Sequence, residues 1–400
     1  MIRTGQPVTV IGAGIAGLAL AIALAQLRAK VTVLEQAPAI TEIGAGIQIS
    51  PNGFAVLKAL GLGESLAERS LRARSVSLRD GINDRPVLTM DLSREPTGRG
   101  FHLVHRADLI GLLRIAALAA GVEICLNRKI DRVDLSGPIP NLHFINGISQ
   151  SAPILIGADG LHSPVRTALN GKEAPFFTHQ VAWRATIPNR SGTDPIVEVH
   201  MGPGRHLVSY PLRGGKYRNI VAVEERGGWT AESWSLRDDP VNLKRAFDSF
   251  SPKIREWLDQ VENPNLWGLF RHPVADRWFD SRDRAGVAIL GDAAHPSLPF
   301  LAQGANMALE DAWCLAQSMD EHATLQSAFA AYQSARKPRT TAIVAAANTN
   351  ARAYHLGGPI RSIAHLGLRI GGRMAPNFAL GRFDWIYGHD VTKLKNPHDL

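Results

Sequence analysis

The chain has 400 residues, 45% of them apolar, with 44 Lys and Arg against 36 Asp and Glu for a formal net charge of +8. That is enough for a sizeable core in one large or two interleaved domains. Its two cysteines, Cys125 and Cys314, stand far apart without C-x-x-C spacing, which argues against a disulfide framework or a thiolate metal site and leaves two buried free thiols as the expectation; no metal is expected. Basic residues are dispersed among acidic ones with no run of five like charges, so nucleic acid is set aside in favour of small anionic ligands.

Residues 8–27 carry no charge and follow Arg3, a length that invites reading as a leader or a membrane span. The internal pattern says otherwise: 8–11 is β-rich, glycines at 12, 14 and 17 break the run, 18–27 is an Ala/Leu helix, and VTVLE at 31–35 is a second strand. Strand, turn, helix and strand in that order require a parallel sheet with a right-handed crossover. Residues 1–80 therefore open a doubly wound nucleotide domain, and a cytoplasmic chain starting at Met1 with no membrane partner is expected. In GAGIAG at 12–17, Gly12 permits the tight turn, Gly14 lets the backbone approach a pyrophosphate, and Gly17, after Ala16, lets the helix pack close to the strand. The helix N-terminus offers unpaired N–H groups and a positive dipole end to the phosphates. Glu35, at the end of the next strand and followed by Gln36, is placed to accept a ribose hydroxyl. A glycine-rich turn beside a surface glutamate is the plain alternative, and the fingerprint alone does not choose between NAD and FAD.

The chain then returns to the same sheet: a helix at 107–120, and short strands at 121–124, 154–156 and 287–290. Between the last two, 175–280 holds alternating stretches such as EVHMGPGRHLVSYPL at 198–212 and NIVAVEE at 219–225, broken by Gly-Gly and Gly-Pro pairs. They predict an inserted antiparallel sheet that covers a ligand on one face and meets solvent on the other. After Gly304 the apolar positions Ala308, Leu309, Ala312, Trp313, Leu315, Ala316 and Met319 follow a helical period. The expected fold is α/β: a discontinuous Rossmann-like domain (1–174 and 281–338), an inserted, mainly antiparallel β-sheet domain that binds the substrate (175–280), and a helical C-terminal region (339–400).

Two later segments choose the dinucleotide. GADG at 157–160 ends a strand with Asp159 and Gly160, and GDAAHP at 291–296 places Gly291 and Asp292 after another. Turn capping by a short acidic side chain would explain either one alone. Together, and in this order, ILIGADGLHSPVR at 154–166 and GVAILGDAAHPSLPFLAQGANMALEDA at 286–312 resemble the DG and GD motifs of the class A FAD-dependent aromatic monooxygenases, the salicylate hydroxylase-like group that includes phenolic-acid and hydroxypyridine hydroxylases. GAGIQISPNG at 44–53, HRADL at 105–109, GPGRHLVSYPLRGG at 202–215 and FDWIYGHDV at 383–391 extend the resemblance over most of the chain.

The resemblance implies FAD as resident cofactor and NADH or NADPH as transient electron donor, with no second G-x-G-x-x-G unit for the latter. It implies that Arg106 and Asp292 contact FAD, the latter at the ribityl chain, that Asp159 serves both FAD and reduced nicotinamide, and that Gly46 and Ile47 line the cofactor. Gly304, Ala305 and Asn306 would bring a helix N-terminus to the flavin's pyrimidine edge, where its dipole favours the anionic reduced ring. Pro299, in the loop 296–303, would lie beside the reactive edge; some relatives carry a polar catalytic residue there, and its replacement by proline shifts acid/base work elsewhere. The implied reaction reduces FAD, adds O2 at flavin C4a to give a hydroperoxide, and hydroxylates an activated ring.

Deprotonating a ring hydroxyl speeds such a transfer, so a base is expected near the substrate. His206 and Tyr210, at i and i+4 of a strand, face one side and are the candidates; a satisfied sheet histidine and a core tyrosine are the alternative. Gln48 is expected to approach the substrate, and Trp183 either lines an aromatic pocket or, as most of the eight tryptophans must, simply packs. Arg184 either pairs with a substrate carboxylate or forms a surface or inter-strand salt bridge. His295, close to Asp292, is read as structural. An oxidase or dehydrogenase of the same fold, or a non-catalytic flavin-binding redox module, would share the cofactor motifs. Monomer and homodimer both remain open.

Overall fold

The computed structural model describes residues 2–40, 45–190, 192, 194–228, 236–374 and 378–393. At its centre lies a six-stranded sheet in the order Phe279–Arg282, Ala285–Ile289, Ile154–Gly157, Pro7–Ile11, Lys30–Leu34, Glu123–Cys125. All pairs are parallel except the first, in which Phe279–Arg282 runs against Ala285–Ile289. The strand expected at 154–156 thus lies beside the first strand, with Val10 opposite both Ile156 and Val33, and the one expected at 287–290 pairs with it on the far side. Val8, Val10, Val33, Leu155 and Ala288 are buried, as a sheet covered on both faces requires. The helix Ile15–Gln26 is apolar on nearly every side and accordingly buried, wedged against the helices Arg106–Ala119 and Gly304–Glu321.

The second large sheet has seven strands, in the order Asn265–Arg271, Phe176–Pro188, Tyr217–Glu225, Arg205–Leu212, Ile196–Gly202, Ser75–Asp80, Pro86–Asp91. Five come from 175–280 and pair antiparallel. Ser75–Asp80 joins parallel to Ile196–Gly202, from Ser75 opposite Ile196 to Asp80 opposite Met201, so the sheet draws two strands from outside that segment. Without them Ile196–Gly202 would be an open edge. The face expected to meet solvent does not: Trp183, Leu207, Ile220 and Ala222 pack on Phe247, which caps the helix Pro240–Ala246, and on Ile254 and Trp257 of the helix Pro252–Asp259. The other face carries Ala182, Val221, Val223, Trp267 and Leu269 and meets Leu298 and Phe300. Smaller sheets are a meander at 130–151 and the set Gly46–Ile49, His102–His105 and Leu71–Arg72.

One helix, Leu325–Tyr354, runs through the expected 338/339 boundary with Pro338 inside it, and Gly358–Met374 follows. Cys125 and Cys314 are free and only partly buried. Among the described residues no helix is long and apolar enough to cross a membrane.

Candidate flavin and substrate site

The three glycine-rich segments meet. At Gly12, φ is +98°, a conformation that favours glycine, and a Cβ there would collide with the Ala158 carbonyl of the GADG turn. A Cβ on Gly17 would strike the Gly12 carbonyl oxygen. Ala158 N donates to Ile11 O at 2.8 Å and Leu290 N to Gly157 O at 3.0 Å, while a Cβ on Gly291 would come within 3.1 Å of the Ala16 methyl. Gly14 differs from its neighbours: it caps the fingerprint helix in extended geometry, φ −77°, ψ −173°, and a Cβ there meets nothing within 4 Å. The open face of a helix N-terminus is what a pyrophosphate needs. Glu35 closes the turn, accepting from Ala13 N at 2.8 Å and Ala37 N at 2.9 Å; Gln36 beside it is exposed.

Asp159 accepts from the Ser163 hydroxyl at 2.6 Å and Val165 N at 3.3 Å, at the start of the helix Pro164–Asn170, and Gly160 follows at φ +76°. Burial pushes the Asp159 carboxyl up to about 6 against those hydrogen bonds. A carboxyl pKa raised above its unfolded value of 3.8 contributes stability fully present below pH 4 and lost as pH rises through 6. Asp159→Asn should therefore stabilise the flavin-free protein at pH 7 by up to about 3 kcal/mol and have no such effect below pH 4, as urea denaturation at the two pH values will read.

Asp292 is exposed to solvent, while the surrounding protein desolvates its carboxyl. Desolvation raises its carboxyl pKa, and His295 and Arg106 oppose the rise. Arg106 begins the helix Arg106–Ala119 and hydrogen-bonds Ala45 O through its own N at 2.9 Å. Arg166, unassigned from sequence, ties the two acidic turns together: it follows Asp159 closely and donates through Nη1 to Ala293 O at 3.1 Å and through Nη2 to Pro273 O at 2.7 Å.

Pro299 opens a half-buried turn, Pro299–Leu301, closed by Ala302 at φ +53°. The helix Gly304–Glu321 starts two residues later, with Gly304 and Ala305 partly exposed at its N-terminus. Asn306 is fully buried and acts as a clamp. Its Oδ1 accepts from Ser50 N at 3.0 Å, and its Nδ2 donates to Gln48 O at 3.1 Å and Ala302 O at 2.8 Å. Asn52 extends this clamp to Gln303 at 3.1 Å and Glu310 at 2.7 Å. The only sequence signal for these residues was their place inside the SPNG and AQGAN segments.

On the sheet face toward Leu298 and Phe300, His206 and Tyr210 lie on the same strand, Arg205–Leu212, and both are buried. The Tyr210 ring packs against Gly46, where a Cβ would come within 2.6 Å of it, and Gly46 N donates to Asn219 Oδ1 at 2.7 Å. Burial raises the Tyr210 phenol pKa strongly, against the nearby Arg184 charge and a hydrogen bond with Gln48. Ile47 pairs with Val104 in the small sheet. Arg184 is half-buried with its guanidinium 4.8 Å from the Trp267 ring centroid. Trp183, expected beside it in an aromatic pocket, faces the other way, because successive strand residues alternate: its Nε1 donates to Asp238 at 2.7 Å in the helix-covered core.

His206 Nδ1 lies 2.7 Å from His355 Nε2, and His355 Nδ1 lies 2.7 Å from Glu225 Oε1. His295 bonds Asp311, which also accepts from Gly291 N at 3.0 Å, so the histidine supports the GDAAHP turn. Among the described residues no group of three His, Cys, Asp or Glu side chains could hold a metal ion. A recess of about 420 Å³ between Phe176, Arg271 and Val344 includes none of the residues singled out in the sequence.

These groups suit a flavin dinucleotide: an open helix N-terminus at Gly14, a carboxylate at Glu35, an exposed acid at Asp292 near Arg106, and a second open helix N-terminus at Gly304. The FAD binding domain family matches residues 6–347. The chain is 37% identical over 357 residues to 3-amino-4-hydroxybenzoate 2-monooxygenase of Streptomyces cremeus, covering 87% of this chain and 88% of that one. It is 33% identical over 389 residues to 3-hydroxybenzoate 6-hydroxylase of Klebsiella oxytoca, covering 95% and 96%. Among solved structures, a Klebsiella pneumoniae HpxO variant complexed with FAD matches with a TM-score of 0.81 at 25% identity, covering 95% of this chain and 98% of that one.

Proposed function

The chain belongs to the FAD binding domain family of aromatic monooxygenases, and from that premise we propose that it hydroxylates a small phenolic or heteroaromatic acid with O2 and NADH or NADPH. The observation that carries the reading is the shared sheet face of His206, Tyr210 and Arg184, turned toward the 298–306 loop. Bound FAD, once reduced, would activate O2 as the source of the electrophilic oxygen. Gly12, Gly14, Ala16 and Gly17 with Glu35 and Gln36 would hold its adenosine diphosphate half, and Gly46, Ile47, Arg106, Asp159, Gly160, Gly291, Asp292, Pro299, Gly304, Ala305 and Asn306 the rest. Nicotinamide visits the same domain transiently.

Within the substrate pocket the roles divide by charge and protonation. Arg184 takes the ring carboxylate, the anionic partner its planar fork suits. Tyr210 stays protonated, since burial disfavours the phenolate, so it donates to the substrate, steadied by Gln48. The base is then His206, which receives the ring hydroxyl's proton. Burial of His206 and Tyr210 keeps water from the activated ring. The division into flavin-binding segments (1–174 and 281–338), a substrate segment (175–280) and a helical end (339–400) follows these roles. A cytoplasmic monomer or homodimer acting on a small molecule, with neither nucleic acid nor membrane as partner, completes the reading.

A screen of phenolic and heteroaromatic acids should find one that stimulates NAD(P)H oxidation and leaves a hydroxylated product. Peroxide alone with every acid would instead mark an oxidase. With that acid, His206→Ala should lose hydroxylation about 100-fold while NAD(P)H oxidation continues as peroxide release. An unchanged coupled rate removes His206 from the mechanism.

A further inference from the structure

His206 is not an isolated buried base. Its Nδ1 meets His355 Nε2 at 2.7 Å, the two rings lie 4.9 Å apart, and His355 Nδ1 meets Glu225 Oε1 at 2.7 Å. The histidine side chains are buried, whereas the Glu225 side chain is 52% exposed. Two side chains from adjacent strands and His355, 149 and 130 residues away from them, therefore form one hydrogen-bonded file from the sheet face to bulk water. The fold holds its middle member in place: Gly204 N, in the turn before His206, donates to His355 O at 3.1 Å, and Glu225 N donates to Gly204 O at 2.8 Å.

We propose that His355 and Glu225 form a proton exit that fixes the tautomer of His206 and carries the substrate's proton to solvent. The proposal rests on His206 being the base. An ionised carboxylate only accepts, so His355 must donate through Nδ1; a neutral His355 then accepts at Nε2, and His206 must donate through Nδ1. That leaves a lone pair on His206 Nε2, which bonds no other described residue, as the acceptor for a ring hydroxyl. One proton enters at His206 Nε2 as the ring O–H bond breaks. The Nδ1 proton of His206 moves to His355 Nε2, and that of His355 to Glu225 Oε1 and on to water; no electrons change hands.

The surroundings favour passage over storage. Desolvation, then the neighbouring His355, hold the His206 pKa well below its ordinary value, so the imidazolium is a poor resting place for the proton. His355 is likewise lowered by burial, against its bond to Glu225, with Arg205 adding to the lowering. The other aromatic rings against His206 among the described residues are Tyr354, 5.2 Å away, and Phe300, at 5.7 Å. Neither carries a charge that would trap a proton. His355 and Glu225 are thus positioning residues that act through His206.

Nitrogen NMR of FAD-loaded enzyme labelled with [15N]histidine tests the tautomers without a substrate. Both His206 and His355 should carry their proton on Nδ1, and a proton on His206 Nε2 overturns the relay. Kinetics with 3-hydroxybenzoate as the probe acid provide the second arm. Glu225→Ala, a change at the exposed end that spares the fold, and His355→Ala should each slow hydroxylation about 10-fold, with imidazole restoring the His355→Ala rate. Both variants matching wild type while His206→Ala is inactive would overturn the relay and leave the base standing. Wild-type coupling in His206→Ala would remove both.

Discussion

Gly14→Val yields a folded protein that purifies without its yellow cofactor. The expected loss of FAD affinity is about 1000-fold, roughly 4 kcal/mol, with a change in urea stability within about 1 kcal/mol. The asymmetry follows from where each fingerprint glycine points. Side chains at Gly12 and Gly17 would drive into the Ala158 and Gly12 carbonyls, so those substitutions pry the helix from the sheet. Gly14 instead faces open space from an extended conformation that valine adopts readily, so nothing in the protein resists the substitution. What valine fills is the approach to the helix N-terminus, where amide donors and the helix dipole would meet the pyrophosphate. Flavin fluorescence titration of the apoprotein measures the loss; wild-type affinity would mean that the pyrophosphate lies elsewhere.

Arg336→Met should destabilise the protein by about 3–5 kcal/mol, because it leaves two buried carboxylates short of their counter-charge. Arg336 is 1% exposed and Glu310 and Asp311 are 0% exposed; it reaches Asp311 Oδ1 at 2.8 Å and Glu310 Oε2 at 2.6 Å. Arg339 adds two bonds of 2.9 Å to Glu310. Burial alone would raise both acids, but Arg336 and Arg339 at Glu310, and His295 and Arg336 at Asp311, hold them below the ordinary carboxylate range. A depressed pKa contributes stability present above the unfolded value near 4 and lost as pH falls below it, so wild type should weaken in acid more steeply than Arg336→Met. The double change Arg336→Met with Asp311→Asn should recover part of the loss. Asp311 also accepts from Gly291 N and bonds His295, so the single variant should bind FAD more weakly as well. Thermal denaturation of the flavin-free forms separates the two effects.

The nucleotide domain was legible because its chemistry is local. A strand ending in Gly12 and a helix starting beyond Gly14 are consequences of backbone conformation, and periodicity marked the strands that return at 154–157 and 285–289. The order of the GAGIAG, GADG and GDAAHP turns pointed to FAD, which the family match and the FAD complex of a structural neighbour support. The pairing of Ser75–Asp80 with Ile196–Gly202 and the helical cover on the second sheet were not legible, since neither leaves a mark within its own segment. Alternation alone placed His206 and Tyr210 on one side but could not say what they would face. Alternation also contradicted Trp183 as a neighbour of Arg184 in a pocket, because adjacent strand residues cannot share a face.

What the sequence by itself determined is the cofactor fold, because turns that admit only glycine and strands bounded by them are written in contiguous residues. Only the tertiary structure decided the partners of each polar group. Asn306 became a clamp, Arg166 a bridge between the two acidic turns, and His206 the inner end of a file to Glu225. Those pairings join residues 127 to 256 positions apart for the clamp and the bridge and 149 apart for the two histidines. A buried donor or acceptor must find a partner, but which partner depends on how separate elements pack.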